Sequence, residues 1–384
     1  MKTKEKAQLI AKLFCQGPGK AVKCLACSRY CAIPEGSAGF CGIRKNENGK
    51  LHLLAYGKPS SVAIDPVEKK PLFHFLPSTE ILSAGTYGCN FACEFCQNPE
   101  LSQAPRLIGG VKLAAKERLA LLEKEFAALP FVSPSDFADA AAANGCSSVA
   151  FTYNEPAIFS EYAYDCSVAA KKAAGLGTVY VSNGYASKES IEFIAPVLDA
   201  INIDIKSFSE KFYSSTCHAS LEPVLETVKR CHKLGIWIEI TTLVIPGKND
   251  SKEELSQIAR FIASVDRNIP WHVTAFHPAY RMMDVVPTPM QSLVTARKVG
   301  IDAGLSFVYA GNLPSRDQGY ESTYCPKCSA LLISRHGYAV EVKSLGKDGL
   351  CSECGKAIAG IWETGQLKKV AASKKPAAKK TGAK

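Results

Sequence analysis

The sequence lacks the features that mark membrane and secreted proteins. Among its 384 residues, no apolar run reaches the ~18 residues that a membrane helix needs. Lys12 interrupts the short apolar stretch near the N-terminus, so we expect neither a signal peptide nor contact with a membrane. With no export signal, the 16 cysteines are expected to be reduced in the cytoplasm. They therefore favour metal sites over a disulfide scaffold.

A general excess of positive charge is also missing once the C-terminus is set aside. The formal net charge is +10, but seven lysines lie in the last nineteen residues, so the rest of the chain carries only +3. We predict that residues 366–384 form a disordered tail, because Ala371–Lys384 contains no large apolar residue. Such a tail suits either plain solubilisation or weak attraction to nucleic acid, and the sequence indicates no specific partner for it.

Three cysteines in the middle of the chain have no fourth donor nearby. Cys89, Cys93 and Cys96 are spaced C-x3-C-x2-C, and between residues 57 and 146 the only other Cys or His is His74. Zinc requires a fourth donor close by, so this spacing is a poor zinc site. Three thiolates can instead hold three irons of a [4Fe–4S] cluster and leave the fourth iron open.

This motif resembles the signature of the radical SAM superfamily, C-x3-C-x-Φ-C, with Phe95 at the aromatic position. The resemblance implies that the open iron binds S-adenosylmethionine and that Phe95 packs near the adenine. One electron from the cluster would then cleave the S–C5′ bond and release a 5′-deoxyadenosyl radical. A flavodoxin or ferredoxin would supply that electron.

Short apolar strands alternate with amphipathic helices between residues 80 and 311. The predicted strands are Glu80–Thr86, Ser147–Thr152, Gly177–Ser182, Ala200–Ile205, Ile236–Leu243, His272–Phe276 and Ser306–Tyr309. The predicted helices are Ala157–Ala174, Lys188–Leu198, Leu221–Leu234, Lys252–Val265 and Met290–Ala303, with a further helix that starts at Ser133 and stops at Asn144-Gly145. Repeated units of this kind predict an α/β fold with parallel strands, in an open sheet or a barrel. A cluster loop at the end of the first strand, and the radical SAM resemblance, favour a partial (β/α)6 TIM-like barrel over residues 80–320.

Polar residues follow several of these strands and match further family motifs. Glu155 lies in Thr152-Tyr-Asn-Glu-Pro, where radical SAM enzymes carry a G-G-E-P-like motif that takes the methionine amino end; Tyr153 and Asn154 replace the two glycines. Asn183, in Ser-Asn-Gly, is similar to the family's T-N-G and is implied to lie near the ribose. The sequence thus predicts cofactor contacts at successive strand ends.

Two more strand ends complete this set. Asp204 and Lys206 are two residues apart and hence on one side of a strand; they resemble the D-x-K of glycyl-radical-enzyme activases, whose lysine pairs with the methionine carboxylate. His277 matches a family histidine after the sixth strand that reaches the ribose. Taken singly, a buried Asp–Lys pair is often structural. The occurrence of all these residues at the ends of successive strands is what favours a cofactor site.

The flanking cysteines predict two further metal sites. Residues 1–79 form a Cys-rich extension with Cys24, Cys27, Cys31 and Cys41, whose four thiols suit either zinc or an accessory Fe–S cluster. Residues 321–365 contain two C-x2-C knuckles typical of a zinc ribbon, and their cysteines are Cys325, Cys328, Cys351 and Cys354. A module this small needs the metal for its folding energy.

Matches along the whole chain narrow the resemblance. The blocks Lys23–Cys27, Gly39–Arg44, Lys70–Pro77 and Gly360–Trp362 resemble the AmmeMemoRadiSam system radical SAM enzyme, a group related to pyruvate formate-lyase activating enzymes. This resemblance implies AMMECR-like and Memo-like partner proteins and a polypeptide substrate. Two alternatives stay open: an RNA-modifying enzyme whose ribbon and lysine tail present RNA, and a non-catalytic Fe–S electron carrier or ribbon-based binding module. The strand-end residues favour an enzyme.

Overall fold

The fold is organised around one eight-stranded sheet. A computed structural model describes residues 9–110, 112–312 and 319–369. In the sheet, seven parallel strands follow one another in chain order, and one antiparallel strand lies at the edge. The antiparallel edge strand is β7 (Ser61–Pro66), and the parallel strands are β8 (Glu80–Gly85), β9 (Ser148–Phe151), β10 (Gly177–Ser182), β11 (Ala200–Asp204), β12 (Trp237–Val244), β13 (Trp271–Ala275) and β14 (Val308–Gly311).

Helices connect the strands of this sheet. The helices are α1 (Pro99–Ser102), α2 (Ala104–Leu107), α3 (Ala115–Ala128), α4 (Pro134–Ala143), α5 (Ser160–Ala174), α6 (Lys188–Ile194), α7 (Glu210–Phe212), α8 (Glu222–Lys233), α9 (Lys252–Val265) and α10 (Met290–Asp302). Helix α4 begins as expected, because the Ser133 hydroxyl accepts from the Asp136 N–H at 3.1 Å and the Asp136 carboxylate accepts from the Ser133 N–H at 3.2 Å. It ends at Asn144, and Gly145 follows with a φ of 70°.

The predicted α/β fold with parallel strands is confirmed. Strands such as β9 are buried along their whole length, as expected for a parallel sheet covered on both faces. The hydrogen-bonded order runs from β14 to β7, and these two edge strands are not paired with each other in the described residues. The partial barrel stays a prediction. Strand β7 comes from the segment that we assigned to the N-terminal extension, so the core sheet begins earlier than expected.

Two three-stranded sheets form the N-terminal segment. One contains β1 (Leu9–Ile10), β5 (Arg44–Glu47) and β6 (Lys50–Leu53), and the other contains β2 (Phe14–Gln16), β3 (Val22–Cys24) and β4 (Ala32–Ile33). The buried side chain of Asn46 holds the segment together, because its amide donates to the carbonyl oxygens of Lys20 and Ile33, both at 2.8 Å.

A buried ion pair docks this segment on the core. The Arg44 guanidinium donates to the Glu161 carboxylate of α5, and both side chains are at most 1% exposed. The same carboxylate accepts the backbone N–H groups of Lys12 and Leu13 at 3.0 and 3.1 Å. Glu161 therefore ties two parts of the N-terminal segment to one helix.

The C-terminal module is a small sheet next to the core. It contains β15 (Thr323–Tyr324), β16 (Leu331–His336) and β17 (Ala339–Val342), and β16 and β17 form a hairpin that turns after His336. The predicted disordered tail starts too early, because Leu367 is buried and the Lys368 N–H donates to Asp199 at 2.7 Å. Residues 370–384 of that tail lie outside the described residues. No helix in the described ranges is long and apolar enough to cross a membrane.

Candidate functional site

A cavity of about 620 Å³ lies at the carboxyl ends of the core strands. Residues that directly follow β9, β10 and β11 line one side of it, and the cysteine loop after β8 lines another. Five of the six predicted cofactor-binding residues line it together with the three cysteines of that loop, and they are Phe95, Glu155, Asn183, Asp204 and Lys206. The sixth, His277, does not line it.

The cysteine loop is held in place by its backbone. The Ala92 N–H donates to the Cys217 carbonyl at 3.1 Å, and the Glu94 N–H donates to the Thr216 carbonyl at 3.0 Å. Both acceptors lie in a single π-helical turn, Tyr213–Cys217. The loop is thus fixed on both sides of Cys93, and Cys89, Cys93 and Cys96 all line the cavity.

The three thiols of this loop are protonated without a metal. Burial raises the pKa of Cys89 to about 12 and also raises the pKa of Cys96. The neighbouring Cys217 thiol, and then burial, raise the pKa of Cys93 well above its usual value. Metal binding must displace these protons, so only a strongly bound cation or cluster would turn the loop into a set of thiolates.

Glu155 is a buried carboxylate with an unusual pKa. Its oxygens accept from the Ser182 hydroxyl at 2.9 and 3.1 Å, from the Asn183 N–H at 2.8 Å and from the Ala157 N–H at 3.0 Å. Burial raises its pKa to about 7, although these hydrogen bonds act in the opposite direction. A ligand cation at this end of the cavity would restore the charged carboxylate.

Asn183 connects the end of β10 to the cysteine loop. Its amide donates to the Asn90 side-chain oxygen at 2.8 Å and lies 3.8 Å from the Cys89 sulfur. Its own oxygen accepts from the Tyr185 N–H at 3.0 Å. This residue therefore orients the loop in addition to lining the cavity.

Lys206 and Asp204 form an ion pair in the cavity wall, and Lys206 is its cation. The Lys206 ammonium lies 3.0 Å from Asp204 and 5.6 Å from the centre of the Phe95 ring. Burial alone would lower the pKa of Lys206, but the charge of the Asp204 carboxylate outweighs it and the pKa is raised. The ammonium is therefore a permanent cation beside the cysteine loop.

Tyr153 stands where the family motif has a glycine, and its backbone takes the conformation that glycine would take. Its φ is 69°, which costs an L-residue about 1–2 kcal/mol. The ring is anchored, because its hydroxyl donates to Asp65 at 3.2 Å and the Lys70 ammonium lies 5.0 Å from its centre. The Tyr153 carbonyl also accepts from the Asn98 amide at 3.1 Å. The backbone course of a glycine is thus kept by side-chain contacts.

The donor set fits a [4Fe–4S] cluster with S-adenosylmethionine. Three thiols on one wall provide three iron ligands, Lys206 and Glu155 add a cation and a carboxylate to the same cavity, and Phe95 offers an aromatic face. The Thr241 hydroxyl lines the same cavity, and it is buried without a hydrogen-bond partner in the described residues. An unpaired buried hydroxyl of this kind is satisfied when a polar ligand binds.

A comparison with family models decides the family. Residues 84–262 match the model of the radical SAM superfamily. The chain belongs to the radical SAM superfamily. The matched range starts one residue before the end of β8 and contains the cysteine loop, Glu155, Asn183, Asp204 and Lys206.

Three relatives show how far this similarity extends. The chain is 42% identical over 339 residues to an uncharacterized protein of Methanocaldococcus jannaschii, which covers 88% of this chain and 95% of that protein. It is 25% identical over 182 residues to the pyruvate formate-lyase-activating enzyme of Clostridium pasteurianum, which covers 47% of this chain and 68% of that enzyme. A crystal structure of a domain of pyruvate-formate lyase-activating enzyme from Bacteroides vulgatus matches with a TM-score of 0.39 and 19% identity, over 43% of this chain and 99% of that one.

One predicted site residue of this radical SAM protein lies away from the cavity. His277 is exposed, whereas its neighbour Phe276 is fully buried. Strand β13 ends at Ala275, so His277 lies beyond the strand, in a segment that leaves the cavity. The resemblance implied that His277 contacts the ribose. That contact stays a prediction, and the exposed position of His277 outside the cavity does not support it.

The far wall of the cavity contains residues that we did not predict. His272 and Tyr309 line it, and the His272 ring donates to the buried Glu239 carboxylate at 2.7 Å. The Tyr309 hydroxyl contacts the His74 ring at 2.6 Å and the Thr323 hydroxyl at 2.8 Å. A signal existed, because His272 and Tyr309 are polar residues inside otherwise apolar strands. They come together only through the parallel pairing of β13 with β14, in which they are direct partners.

The C-terminal module also reaches the site. Gly337 and Tyr338, at the tip of the hairpin between β16 and β17, line the cavity. Arg335 on β16 is fully buried and donates to the Phe73 carbonyl at 2.7 Å and to the Thr323 hydroxyl at 2.7 Å. The module is therefore anchored against the core and supplies part of the cavity mouth.

The four C-terminal cysteines are arranged around one point. The Cys325 and Cys354 sulfurs are 3.6 Å apart, the Cys328 and Cys351 sulfurs are 3.7 Å apart, and all four lie within 4.8 Å of one another. Sulfurs about 2.3 Å from a tetrahedral zinc ion would be about 3.8 Å apart. Burial acts to raise the pKa of Cys325, but the N–H groups of Cys328 and Lys327 lower it to about 7. These thiols could hold one metal ion.

The structure also shows the burial of the N-terminal cysteines and of four further cysteines. Cys24, Cys27 and Cys41 are buried and Cys31 is half-buried, all in the N-terminal segment. Four further cysteines are buried in the core: Cys146, Cys166, Cys217 and Cys231.

Proposed function

We propose that this protein cleaves S-adenosylmethionine reductively at a [4Fe–4S] cluster held by Cys89, Cys93 and Cys96, and abstracts hydrogen from a substrate. The observation that supports this most strongly is the single cavity that joins these three thiols to Glu155 and Lys206. When bound there, the cluster and S-adenosylmethionine would supply a 5′-deoxyadenosyl radical. An electron carrier would have no use for a carboxylate and an ammonium at separate places in the same cavity.

The residues around the cavity divide the binding of the cofactor between them. Glu155 accepts the methionine ammonium, which compensates the burial of its carboxylate. Lys206 pairs with the methionine carboxylate, and the Asp204 side chain keeps the ammonium aimed at it. Phe95 lies against the adenine, and Asn183 lies near the ribose while it holds the cysteine loop through Asn90.

A polypeptide is the substrate class that we propose. A relative at 25% identity bears the name of an activating enzyme for another protein, pyruvate formate-lyase. The cavity opens past the hairpin tip at Gly337-Tyr338, and Tyr338 is 57% exposed, so an extended segment would find an aromatic contact at the mouth. We further propose that the chain is an AmmeMemoRadiSam system enzyme with AMMECR-like and Memo-like partners, and that a flavodoxin or ferredoxin reduces it.

We also propose that the C-terminal module is a zinc ribbon with a structural role. Its sulfur spacings agree with tetrahedral zinc, and a module of this size gains its folding energy from the metal. The ion would fix the hairpin that carries Tyr338 and would take no part in the reaction.

Formation of 5′-deoxyadenosine tests the proposed function. Anaerobically reconstituted protein, reduced with dithionite and given S-adenosylmethionine, should form 5′-deoxyadenosine, and the Cys93→Ala variant should form none. The Cys231→Ala variant removes a buried cysteine of α8 away from the cavity and should keep the activity. Equal yields from the wild type and the Cys93→Ala variant would exclude the proposal.

A further inference from the structure

The four N-terminal cysteines come together in one compact part of the fold. The Cys24 N–H donates to the Cys31 carbonyl at 2.9 Å, and the Tyr30 N–H donates to the Cys27 carbonyl at 3.0 Å, so three of the cysteines share one hairpin turn. Cys41 joins them from the next loop. Three of the four thiols are at most 7% exposed, which is expected for metal ligands shielded from water.

The distances between the sulfur atoms distinguish a site for a single metal ion from a site for a cluster. A Cβ atom on Gly39, two residues before Cys41, would lie 3.6 Å from the Cys31 sulfur, so the loop of Cys41 packs directly on the turn that holds the other three cysteines. In the described residues, however, the group whose ligand atoms all lie within 4.8 Å of one another is the C-terminal one, and the N-terminal set does not reach that spacing. The thiols of Cys89, Cys93 and Cys96 do not reach it either.

This spacing suits a cluster better than a single ion. Four thiolates on one zinc ion stand about 3.8 Å apart, as the C-terminal sulfurs do. In a cubane each thiolate binds a different iron, so the sulfurs are farther apart. The N-terminal thiols thus differ from the zinc-like set, as the three cysteines of the radical SAM loop do.

The N-terminal cysteines lie directly against the loop of the radical SAM cysteines. A Cβ atom on Gly88, the residue before Cys89, would be 2.3 Å from the Cys41 carbonyl oxygen, so only glycine permits this approach. Gly42, the residue after Cys41, packs equally closely on Pro105. The two cysteine loops are therefore in backbone contact, with no side chain between them at this point.

Two guanidinium groups bridge the same boundary. Arg106 donates to the carbonyl oxygens of Phe40 and Cys89 at 3.2 and 3.1 Å, and Arg29 donates to the Asn90 carbonyl at 2.6 Å. They lie 4.2 and 3.5 Å from the centre of the Phe40 ring. Neither forms a salt bridge with a carboxylate among the described residues. A partly buried cation needs an anion nearby, and an iron–sulfur cluster ligated by thiolates provides one on each side.

We propose that Cys24, Cys27, Cys31 and Cys41 hold a second [4Fe–4S] cluster that passes single electrons to the cluster of Cys89, Cys93 and Cys96. The relay rests on the proposed function, whereas the cluster itself does not. One electron from a flavodoxin or ferredoxin reduces the N-terminal cluster, which returns to its oxidised state when it reduces the second one. Phe40 is 37% exposed beside this site and, between two arginines, offers a contact for an acidic donor protein.

Metal content tests the cluster. Anaerobically purified wild type should contain about eight irons, about eight sulfides and about one zinc per chain. The Cys27→Ala variant should lose about half of the iron and keep the zinc, and the Cys93→Ala variant should lose the other half. Cys15→Ala, which removes an exposed cysteine of the same segment, should lose nothing. About four irons with two zincs in the wild type, and loss of one zinc in Cys27→Ala, would overturn the proposal even if that variant folds poorly.

The electron donor distinguishes the relay from a structural cluster. In Cys27→Ala, formation of 5′-deoxyadenosine with reduced flavodoxin should fall roughly tenfold or more, whereas dithionite, a small reductant, should support a rate close to that of the wild type. An equal loss with both reductants, or no loss with flavodoxin, refutes the relay. If the wild type contains two clusters but forms no 5′-deoxyadenosine with any reductant, the proposed function is refuted and the assignment of the second cluster is not.

Discussion

The pKa of Glu155 leads to a prediction about the binding of S-adenosylmethionine. Burial raises this pKa to about 7, from a usual value of 4.5. The folded protein therefore holds the proton more tightly than an unfolded chain does. The carboxyl is half charged near pH 7 and almost fully charged about one pH unit higher, and the charge is lost as the pH falls through about 7. Only the charged form pairs with the methionine ammonium.

The size of the effect follows from this titration. At one pH unit below the pKa about one carboxyl in eleven is charged, and at one unit above it about ten in eleven are. The affinity for S-adenosylmethionine should therefore fall roughly tenfold between about pH 8 and about pH 6. Glu155→Gln removes the charge at every pH. Loss of a hydrogen bond to a charged group costs about 1.5–3 kcal/mol, so the variant should bind roughly 10 to 100 times more weakly near neutral pH.

Equilibrium dialysis of the anaerobic, cluster-loaded protein measures this affinity. The wild type should lose affinity below about pH 7, and Glu155→Gln should show no such acidic limb. Glu226→Gln, which changes an exposed carboxylate on α8, should behave as the wild type. A wild-type affinity that is constant down to about pH 6, or an acidic limb that survives in Glu155→Gln, would refute the assignment of Glu155 to the ammonium.

Three further predictions concern other residues. Lys206→Met should weaken S-adenosylmethionine binding by about 1.5–3 kcal/mol in the same dialysis, while the exposed control Lys229→Met should not; equal affinities would contradict the carboxylate contact. Arg44→Met leaves Glu161 charged and buried, so urea unfolding should show a loss of about 3–5 kcal/mol, partly recovered with Glu161→Met added; no recovery would argue against the ion pair as the cause. Tyr153→Gly should unfold about 1 kcal/mol less readily than Tyr153→Ala, since only glycine takes the positive φ freely; the reverse order would be inconsistent with strain at this position.

The core of the fold was predictable because its strands are buried on both faces. Strands such as Gly177–Ser182 appear in the sequence as apolar runs, and the helices between them are amphipathic. The N-terminal sheets escaped prediction, since their strands have two to four residues. Their order depends on distant contacts, such as those of the Asn46 side chain with Lys20 and Ile33. Neither contact leaves a periodic pattern.

The candidate site was predictable where residues follow strands directly. Asp204 ends its strand, Asn183, Lys206 and Glu155 follow theirs within one to four residues, and each lines the cavity. His277 is the exception, because β13 ends at Ala275 and the segment that follows carries the histidine to the solvent.

The far wall of the site could not be read from the sequence. His272 sits inside a strand and depends on Glu239 from the neighbouring strand, and Tyr338 arrives from a different module. Such contacts depend on strand pairing and on module docking. Both are tertiary, and local patterns do not encode them.

Electron paramagnetic resonance of the reduced protein tests the central claim most directly. If Cys89, Cys93 and Cys96 leave one iron open for S-adenosylmethionine, its addition should change the cluster signal of the wild type, and this change should be absent in Cys93→Ala. It should persist in Cys27→Ala, which keeps the radical SAM cysteines. A reduced wild-type signal that is the same with and without S-adenosylmethionine would contradict the account.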